Sequence, residues 1–332
     1  MRETDHSLAH PNLDEAPVSI DRDNNQPPLG QHRQGETAVR IGVDLGGHKI
    51  NVGAVVDGTV TSSAQEPTPS SRTPDTVIRA IVRLVRSLNI DELLSVGIGL
   101  PGMLSLDRRS VVRLTNLPRW DNLPLAHLLE DRLKVPVVLD NDAKCAALGE
   151  LVAGEGQGMT DFVMITLGTG IGGAVVSGGS VLRGRRGLAG ELGHLGLLHQ
   201  EPCNCGGMGH SETLFSADRF DRRCVETGVQ SVPALWKKRK EPRHRLFWDR
   251  SLEALACTVI SAVHLLDPQA IVFSGGLARL PNLMDELAPL VEVRLATAFR
   301  PGPPLLLSQL GGDGPVIGAA SLLPIREETG RG

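Results

Sequence analysis

Two stretches of the 332-residue chain carry side chains of types and spacing suited to chemistry. At Asp140-Asn141-Asp142-Ala143 an apolar run gives way to two carboxylates flanking an amide. A carboxylate at such a strand-to-helix junction can take a proton from a substrate hydroxyl, with the neighbouring Asn orienting that hydroxyl. The same residue types cap helices, and both roles are open for Asn141 and Asp142. Farther on, Gly190-Glu191-Leu192-Gly193-His194 is followed by Cys203-Asn204-Cys205 and His210. Two thiolates and two imidazoles match a closed structural Zn²⁺ site, although C-x-C-x₄-H is not a zinc-finger spacing and His199 can replace either histidine. Free buried cysteines are the alternative. Gly206, Gly207 and Gly209 suit a loop wrapped tightly round an ion.

Two glycine-rich loops suggest phosphate. In Asp44-Leu45-Gly46-Gly47-His48-Lys49, adjacent glycines let backbone amides approach an anion, and the carboxylate can hold a hydrated Mg²⁺. An ordinary hairpin turn reads equally well. Gly168-Thr169-Gly170-Ile171-Gly172-Gly173 satisfies G-x-G-x-x-G, but a dinucleotide fold needs a helix directly after it. Here Ala174-Val175-Val176-Ser177 follows, a strand, so these amides are expected to meet phosphate across a β-hairpin. The basic run Trp236-Lys237-Lys238-Arg239-Lys240, with Arg243, Arg245 and Trp248, is read as a solvated helix face or subunit contact ahead of a nucleic-acid surface.

Alternating elements must position these groups. Strands are expected at Val39–Leu45, Ile50–Val56, Thr59–Ala64, Leu94–Gly99, Val135–Leu139, Phe162–Leu167, Ala174–Ser177 and Ala270–Phe273. Helices are expected at Pro74–Leu88, Leu125–Leu133, Lys144–Val152, Ser251–Leu266 and Gly311–Leu323, the first with Val77, Ile81, Leu84, Val85 and Leu88 along one face. Cys145, Cys224 and Cys257 fall in helical runs and are assigned to the core. The pattern is an α/β protein of two hairpin-led halves with a cleft between them.

Composition narrows the function classes. The chain is 41% hydrophobic with 3% aromatics and no Tyr, so Leu, Val, Ile and Ala must fill the core. Residues 1–38 hold seven acids against three bases and carry the net charge of −4, which leaves the remainder neutral and disfavours nonspecific DNA binding. That segment, broken by Pro11, Pro17, Pro27 and Pro28, reads as a disordered tail and not as a helix-turn-helix. Five cysteines, an odd number, point to a reducing compartment. With no apolar signal core and no spanning run, a cytoplasmic protein without membrane partners is expected.

Taken in order, eight segments resemble the ROK family (repressors, open reading frames and kinases): Ile41–Gly47, Gly97–Gly102, Asn116–Trp120, Asp140–Glu150, Thr166–Gly173, Gly187–His194, Cys203–Glu212 and Ile271–Gly276. The resemblance covers about residues 39–323. It implies an actin-like (ribonuclease H-like) two-lobe sugar kinase fold with an interlobe cleft. The boundaries would be a small lobe at 39–142, a large lobe with the zinc loop at 143–310, and a C-terminal helix, 311–325, returning to the small lobe. Asp142 would be the general base, with Gly102, Thr115, Asn116, Asn141, Asp142, Gly170, Glu191, His194 and Glu212 on the sugar. ATP and Mg²⁺ would lie at Asp44, Gly46, Gly47, His48, Lys49, Gly168, Thr169, Gly170, Gly172, Gly275 and Gly276. Structural zinc would take His194, Cys203, Cys205 and His210, His194 binding metal through one ring nitrogen and sugar through the other. A homodimer is implied by the resemblance alone. His48 stands where the family usually has Thr, Lys144 where Asn is common, and His210 replaces a cysteine.

The expected activity is an ATP-dependent hexokinase acting on the 6-hydroxyl of an aldohexose, glucose first, with N-acetylmannosamine or N-acetylglucosamine as rivals. A sugar-sensing repressor and a non-catalytic sugar binder are the readings from other classes.

Overall fold

The computed structural model describes residues 39–114 and 119–322. The expected tail at 1–38, Thr115 and Asn116, and the end of the closing helix at Leu323 lie outside the described residues. β1 (Val39–Leu45), β2 (Lys49–Val56) and β3 (Thr59–Pro67) form an antiparallel meander. Exposed and half-buried residues alternate along β3, as on an edge strand with one wet face. α1 (Pro74–Ser87) opens with proline at a first-turn position, where its missing N–H costs nothing, and buries Val77, Ile78, Ile81, Leu84 and Val85. β4 (Leu93–Leu100), the short hairpin β5 (Met103–Leu104) and β6 (Val111–Arg113), α2 (Leu125–Leu133) and β7 (Val137–Asn141) follow. β4 joins β1, and β7 joins β4, both parallel, giving a sheet of order β3-β2-β1-β4-β7.

α3 (Asp142–Ala153) leads out of this sheet into a second of the same plan. β8 (Phe162–Leu167), β9 (Ile171–Ser177) and β10 (Ser180–Val181) pair antiparallel. Beyond β10 the chain runs through the Cys/His segment to α4 (Ala217–Thr227), α5 (Val232–Lys237), α6 (Pro242–Leu266), β11 (Ala270–Ser274), α7 (Leu283–Glu292), β12 (Leu305–Leu307) and α8 (Asp313–Ala320). β11 and β12 extend the sheet in parallel, so its order, β10-β9-β8-β11-β12, repeats that of the first. Each sheet has its own apolar core, the first with Ile41, Ile81 and Trp120 and the second with Phe215, Trp236 and Trp248.

Several elements differ from the sequence expectation for identifiable reasons. α3 starts at Asp142, not Lys144, because the Asn141 side chain caps it, accepting the N–H groups of Ala143 and Lys144 at 3.0 and 3.3 Å. β7 runs from Val137 to Asn141, two residues later than expected, since Pro136 has no N–H to give a ladder. The second glycine loop shrinks to Gly168–Gly170, and Ile171, Gly172 and Gly173 are strand. α6 begins nine residues earlier than expected, at Pro242. β3 is three residues longer, and α8 is shorter than the expected Gly311–Leu323. α4, α5, α7, β5, β6 and β12 were not anticipated. Trp236 and Trp248 are core residues, each 1% exposed, so the aromatics of the basic run are not available to stack on bases. Cys145 and Cys224 are buried as expected, and Cys257 is half-buried.

α3 and α8 cross between the sheets at backbone contact. A Cβ on Gly318 would overlap the carbonyl oxygen of Cys145, and one on Gly149 would overlap that of Gly314. On the other side of α8, Gly42 of β1 and Gly97 of β4 lie equally close to the carbonyls of Val316 and Ala319. Gly318→Ala is therefore expected to destabilise the chain by about 3 kcal/mol in denaturant unfolding, the upper range for an inserted methyl group. Gly196→Ala, where the added methyl meets nothing within 4 Å, is expected to stay within about 0.5 kcal/mol of the parent.

Candidate active site and metal loop

The junction of β7 and α3 presents Asp142 on the first helical turn. Its Oδ1 accepts the N–H of Ala143 at 2.8 Å, and no other side chain hydrogen-bonds it among the described residues. Asn141 spends Oδ1 on the helix cap, which leaves its Nδ2 as a donor. Burial raises the pKa of Asp142. The Ala143 N–H opposes that shift, the Glu191 charge adds to it, and Lys144 opposes it. Lys144 itself is 1% exposed, and its ammonium has no hydrogen-bond partner. The capping reading of the junction is met by Asn141, and Asp142 is a carboxylate in the first turn whose Oδ1 takes the Ala143 N–H.

Asp44 approaches from the first glycine turn. Burial first, and then the Asp142 charge, push its pKa up to about 6. Asn51, directly opposite Asp44 in the β1–β2 register, donates to its Oδ2 at 3.2 Å. The turn is held by Gly46 N–H to the Lys49 carbonyl at 3.0 Å and by the Thr68 hydroxyl to the Gly46 carbonyl at 2.8 Å. His48 and Lys49 are exposed, and Gly47 faces open space.

The second loop, Gly168–Gly170, lies at the end of β8 beside Gly275 and Gly276, because β8 and β11 pair in parallel up to Thr166 and Ser274. Gly275 has φ +92° and fits against the Leu167 carbonyl, a place only glycine can take. A side chain at Gly168 or Gly276 would meet nothing within 4 Å, and the Gly168 N–H itself turns inward to the Gly170 carbonyl at 3.0 Å. Gly172, expected among the phosphate contacts, is instead inside β9, packed on Thr166 and Ala143. Gly102, at φ +101°, turns the chain just after Leu100, which is paired with Asn141.

Glu191, His194 and Glu212 converge. His194 Nδ1 lies 3.6 Å from Glu191 Oε2, and Nε2 lies 3.3 Å from Glu212 Oε1. The Glu191 partner first and Glu212 second push the His194 pKa up to about 10. Burial alone would raise Glu212, but His194 and the Cys203 thiol hold it below the ordinary range. Its other oxygen accepts the Ile171 N–H at 3.4 Å, which ties this segment to the second glycine loop.

The donor atoms of His194, Cys203, Cys205 and His210 all lie within 4.8 Å of one another. Two thiols and two imidazoles are a set that Zn²⁺ takes in a closed site, so the residues present fit the metal the family implies. His199 is not one of the four; its Nδ1 accepts the Glu201 N–H at 3.2 Å. Burial, with the Glu212 carboxylate adding to it, pushes the Cys203 thiol up to about 12. Cys203 donates to Glu212 Oε1 at 2.9 Å, and Cys205 Sγ meets His210 Nδ1 at 3.3 Å.

The Asp140, Arg108 and Arg183 cluster beside this site carried no sequence signal, because its members are brought together from three separate segments. Asn51 was discoverable: once a tight Gly-Gly turn is drawn, it falls opposite Asp44.

The ROK family model matches residues 40–326. A glucokinase of Thermotoga maritima is 33% identical over 311 residues, 86% of this chain and 97% of that protein. An N-acetyl-D-glucosamine kinase of Pectobacterium carotovorum is 31% identical, over 85% of this chain and 97% of that protein. The crystal structure of a ROK family glucokinase from Streptomyces griseus, in complex with glucose and AMPPNP, superposes with a TM-score of 0.76 at 30% identity, over 86% of this chain and 99% of that one. With the doubled sheets, the crossing helices and the two glycine loops already in view, these likenesses establish that the chain belongs to the ROK family and has the actin-like two-lobe fold of its sugar kinases.

Proposed function

We propose that the chain is an ATP-dependent hexokinase that transfers the γ-phosphoryl group of ATP to the 6-hydroxyl of glucose, with Asp142 as general base. The observation that carries this reading is Asp142 itself, a carboxylate on the first turn of α3, placed electrostatically between Asp44 of the first glycine turn and Glu191 of the Cys/His segment. Asp142 would accept the hydroxyl proton as the oxygen attacks phosphorus, while Asn141 Nδ2 orients the same hydroxyl. Glu191, His194 and Glu212 would hold ring hydroxyls, joined by Gly102, Thr115, Asn116 and Gly170. The glycine turns at Gly46–Lys49, Gly168–Gly170 and Gly275–Gly276 would bind the phosphates through those of their amides not already spent inside the turns, as Gly46 and Gly168 are. Mg²⁺ supplies charge neutralisation at the nucleotide when bound, and Asp44 is the carboxylate placed to hold it through water. Zinc held by His194, Cys203, Cys205 and His210 would fix the loop that carries Glu191 and Glu212, with no part in bond making.

The glucokinase relatives and the Streptomyces griseus complex support glucose as substrate, and the N-acetyl-D-glucosamine kinase relative sustains the rival reading. A sugar panel with coupled ADP detection decides between them: kcat/KM is expected to be higher for glucose than for N-acetylglucosamine or N-acetylmannosamine.

Asp142→Asn keeps an oxygen for the Ala143 N–H and is expected to fold normally while kcat falls about 10²- to 10⁴-fold, the usual effect of removing a general base. Near-parental turnover would remove Asp142 from the mechanism. Because Asp142 must be ionised to act and its pKa is raised, kcat/KM should fall with decreasing pH above the ordinary carboxylate range of about 4. Glu191→Gln removes a neighbouring negative charge and should move that acid limb to lower pH. The purified protein is expected to contain about one zinc per chain by elemental analysis, and Cys205→Ser to lower that content together with the melting temperature.

A further inference from the structure

Neither Asp140, the first residue of the Asp140–Glu150 segment, nor Arg183 is among the expected sugar or nucleotide contacts, yet they meet at the junction that carries Asp142. Asp140, the residue before Asn141 on β7, has a side chain only 6% exposed. Its Oδ1 accepts the backbone N–H of Asn141 at 2.9 Å. Its Oδ2 accepts two bonds from one guanidinium, Arg183 Nε at 3.2 Å and Nη2 at 2.7 Å. Arg183 comes from the other sheet, just after β10, where its Nη1 donates to the Val181 carbonyl at 3.3 Å. The Arg183 carbonyl accepts the Ala189 N–H at 2.9 Å and so closes the loop that leads into Gly190 and Glu191. One buried carboxylate is thus bonded on one side to the backbone of the Asn141–Asp142 junction and on the other to the root of the Glu191–His194 segment.

We propose that Arg183, acting through Asp140, is a positioning residue for phosphoryl transfer: it holds the base-bearing junction of the first sheet against the sugar-facing segment of the second. The proposal rests on the reading of Asp142 as base. A planar guanidinium suits the task, because two of its N–H groups converge on one oxygen and leave the other for the Asn141 N–H. Charge balance alone does not account for the arrangement. Arg108, in the turn of the separate β5–β6 hairpin, places Nη1 3.6 Å from the same Oδ2. That nitrogen is buried and, among the described residues, lies too far from any acceptor for a normal hydrogen bond. Arg108 is held beside β7 by its own carbonyl, which accepts the Leu139 N–H at 3.0 Å. It can therefore neutralise Asp140 without touching the second sheet, and Arg183 adds the connection that crosses between sheets.

The test is steady-state kinetics with glucose and ATP on the full chain, comparing Arg183→Met, Arg183→Lys, Asp140→Asn and the Arg183→Met/Asp140→Asn double variant. With Arg108 still opposite Asp140, Arg183→Met is expected to fold. Its kcat should fall about 10- to 100-fold, the range for a small misplacement of reacting groups. The KM for ATP should stay within about threefold, since the nucleotide loops are untouched. The double variant should be no worse than the poorer single, and Arg183→Lys should recover part of the loss. A kcat within about twofold of the parent in Arg183→Met, or a double-variant loss equal to the product of the two single losses, overturns the proposal. Should Arg183→Met not fold, Asp140→Asn, which preserves shape, decides by the same kcat criterion. Failure of the base reading shows separately, as near-parental turnover in Asp142→Asn, whereas the coupling between Asp140 and Arg183 is read without that variant.

Discussion

Everything at the candidate site depends on how closely α8 lies against α3 and against β1 and β4. Backbone touches backbone at Gly318 and Gly149 on one side and at Gly42 and Gly97 on the other. Helices packed through ordinary side chains stand about 8–10 Å apart. Glycine contacts shorten that distance and remove rotamer freedom from the interface, so the angle between the two helices is set by main chain. α3 carries Asp142 at its N-terminus, and its other face packs through Ala146, Ala147 and Leu148 on Phe162, Met164 and Ala174 of the second sheet. Asp142 is therefore fixed to the first sheet by β7 and to the second by its own helix, and α8 is the wedge that sets one relative to the other.

Onto this frame the chain loads more negative charge than a buried site would bear alone. Asp44, Asp142 and Glu191 act on one another, and burial with mutual repulsion raises the first two. Such crowding would suit the proposed transfer, in which the site takes up a proton and receives cations with a nucleotide. The compensating charges come from within the fold. Lys144, buried one residue past Ala143, holds Asp142 down electrostatically without hydrogen-bonding it. Arg108 and Arg183 gather on Asp140. The family's more usual Asn at the Lys144 position would bring no charge, so this chain balances its base differently from the pattern it resembles.

What the sequence made legible follows from range. β1, α1 and α2 have apolar periodicities or turn signals contained within a dozen residues, and they appear where the residues place them to within a residue. The Asp44 turn, the Asn141–Asp142 junction and the Cys/His segment are likewise local, so the clustering of their side chains was readable. α4 was missed because Ala217–Thr227 is dense in charge and buries little beyond Phe220 and Cys224, a pattern that looks solvated until Phe247 and Trp248 come to lie on Phe220. α6 was cut short because His244, Arg245 and Asp249 obscure the face on which Trp248 is already buried. Contacts between distant segments had no signature at all. Arg183 is 43 residues from Asp140, and nothing in either neighbourhood indicates that the two share hydrogen bonds.

In the Cys/His segment the four candidate metal donors are interleaved with the two carboxylates proposed to face substrate. His194 lies between Glu191 and Glu212, while Cys203 donates to Glu212 and His210 faces Cys205. The carboxylate of Glu212 serves as hydrogen-bond acceptor to both an imidazole and a thiol. A metal at the four donors requires both thiols to be ionised, which removes the Cys203 proton from Glu212. Glu212 would keep the Ile171 N–H on Oε2, and Oε1, relieved of the Cys203 proton, would gain acceptor capacity for a hydroxyl. Metal binding in this segment would thus do more than stiffen a loop. It would convert Glu212 from a partner of its own cysteine into an acceptor for substrate, coupling the order of the loop to the readiness of the sugar site.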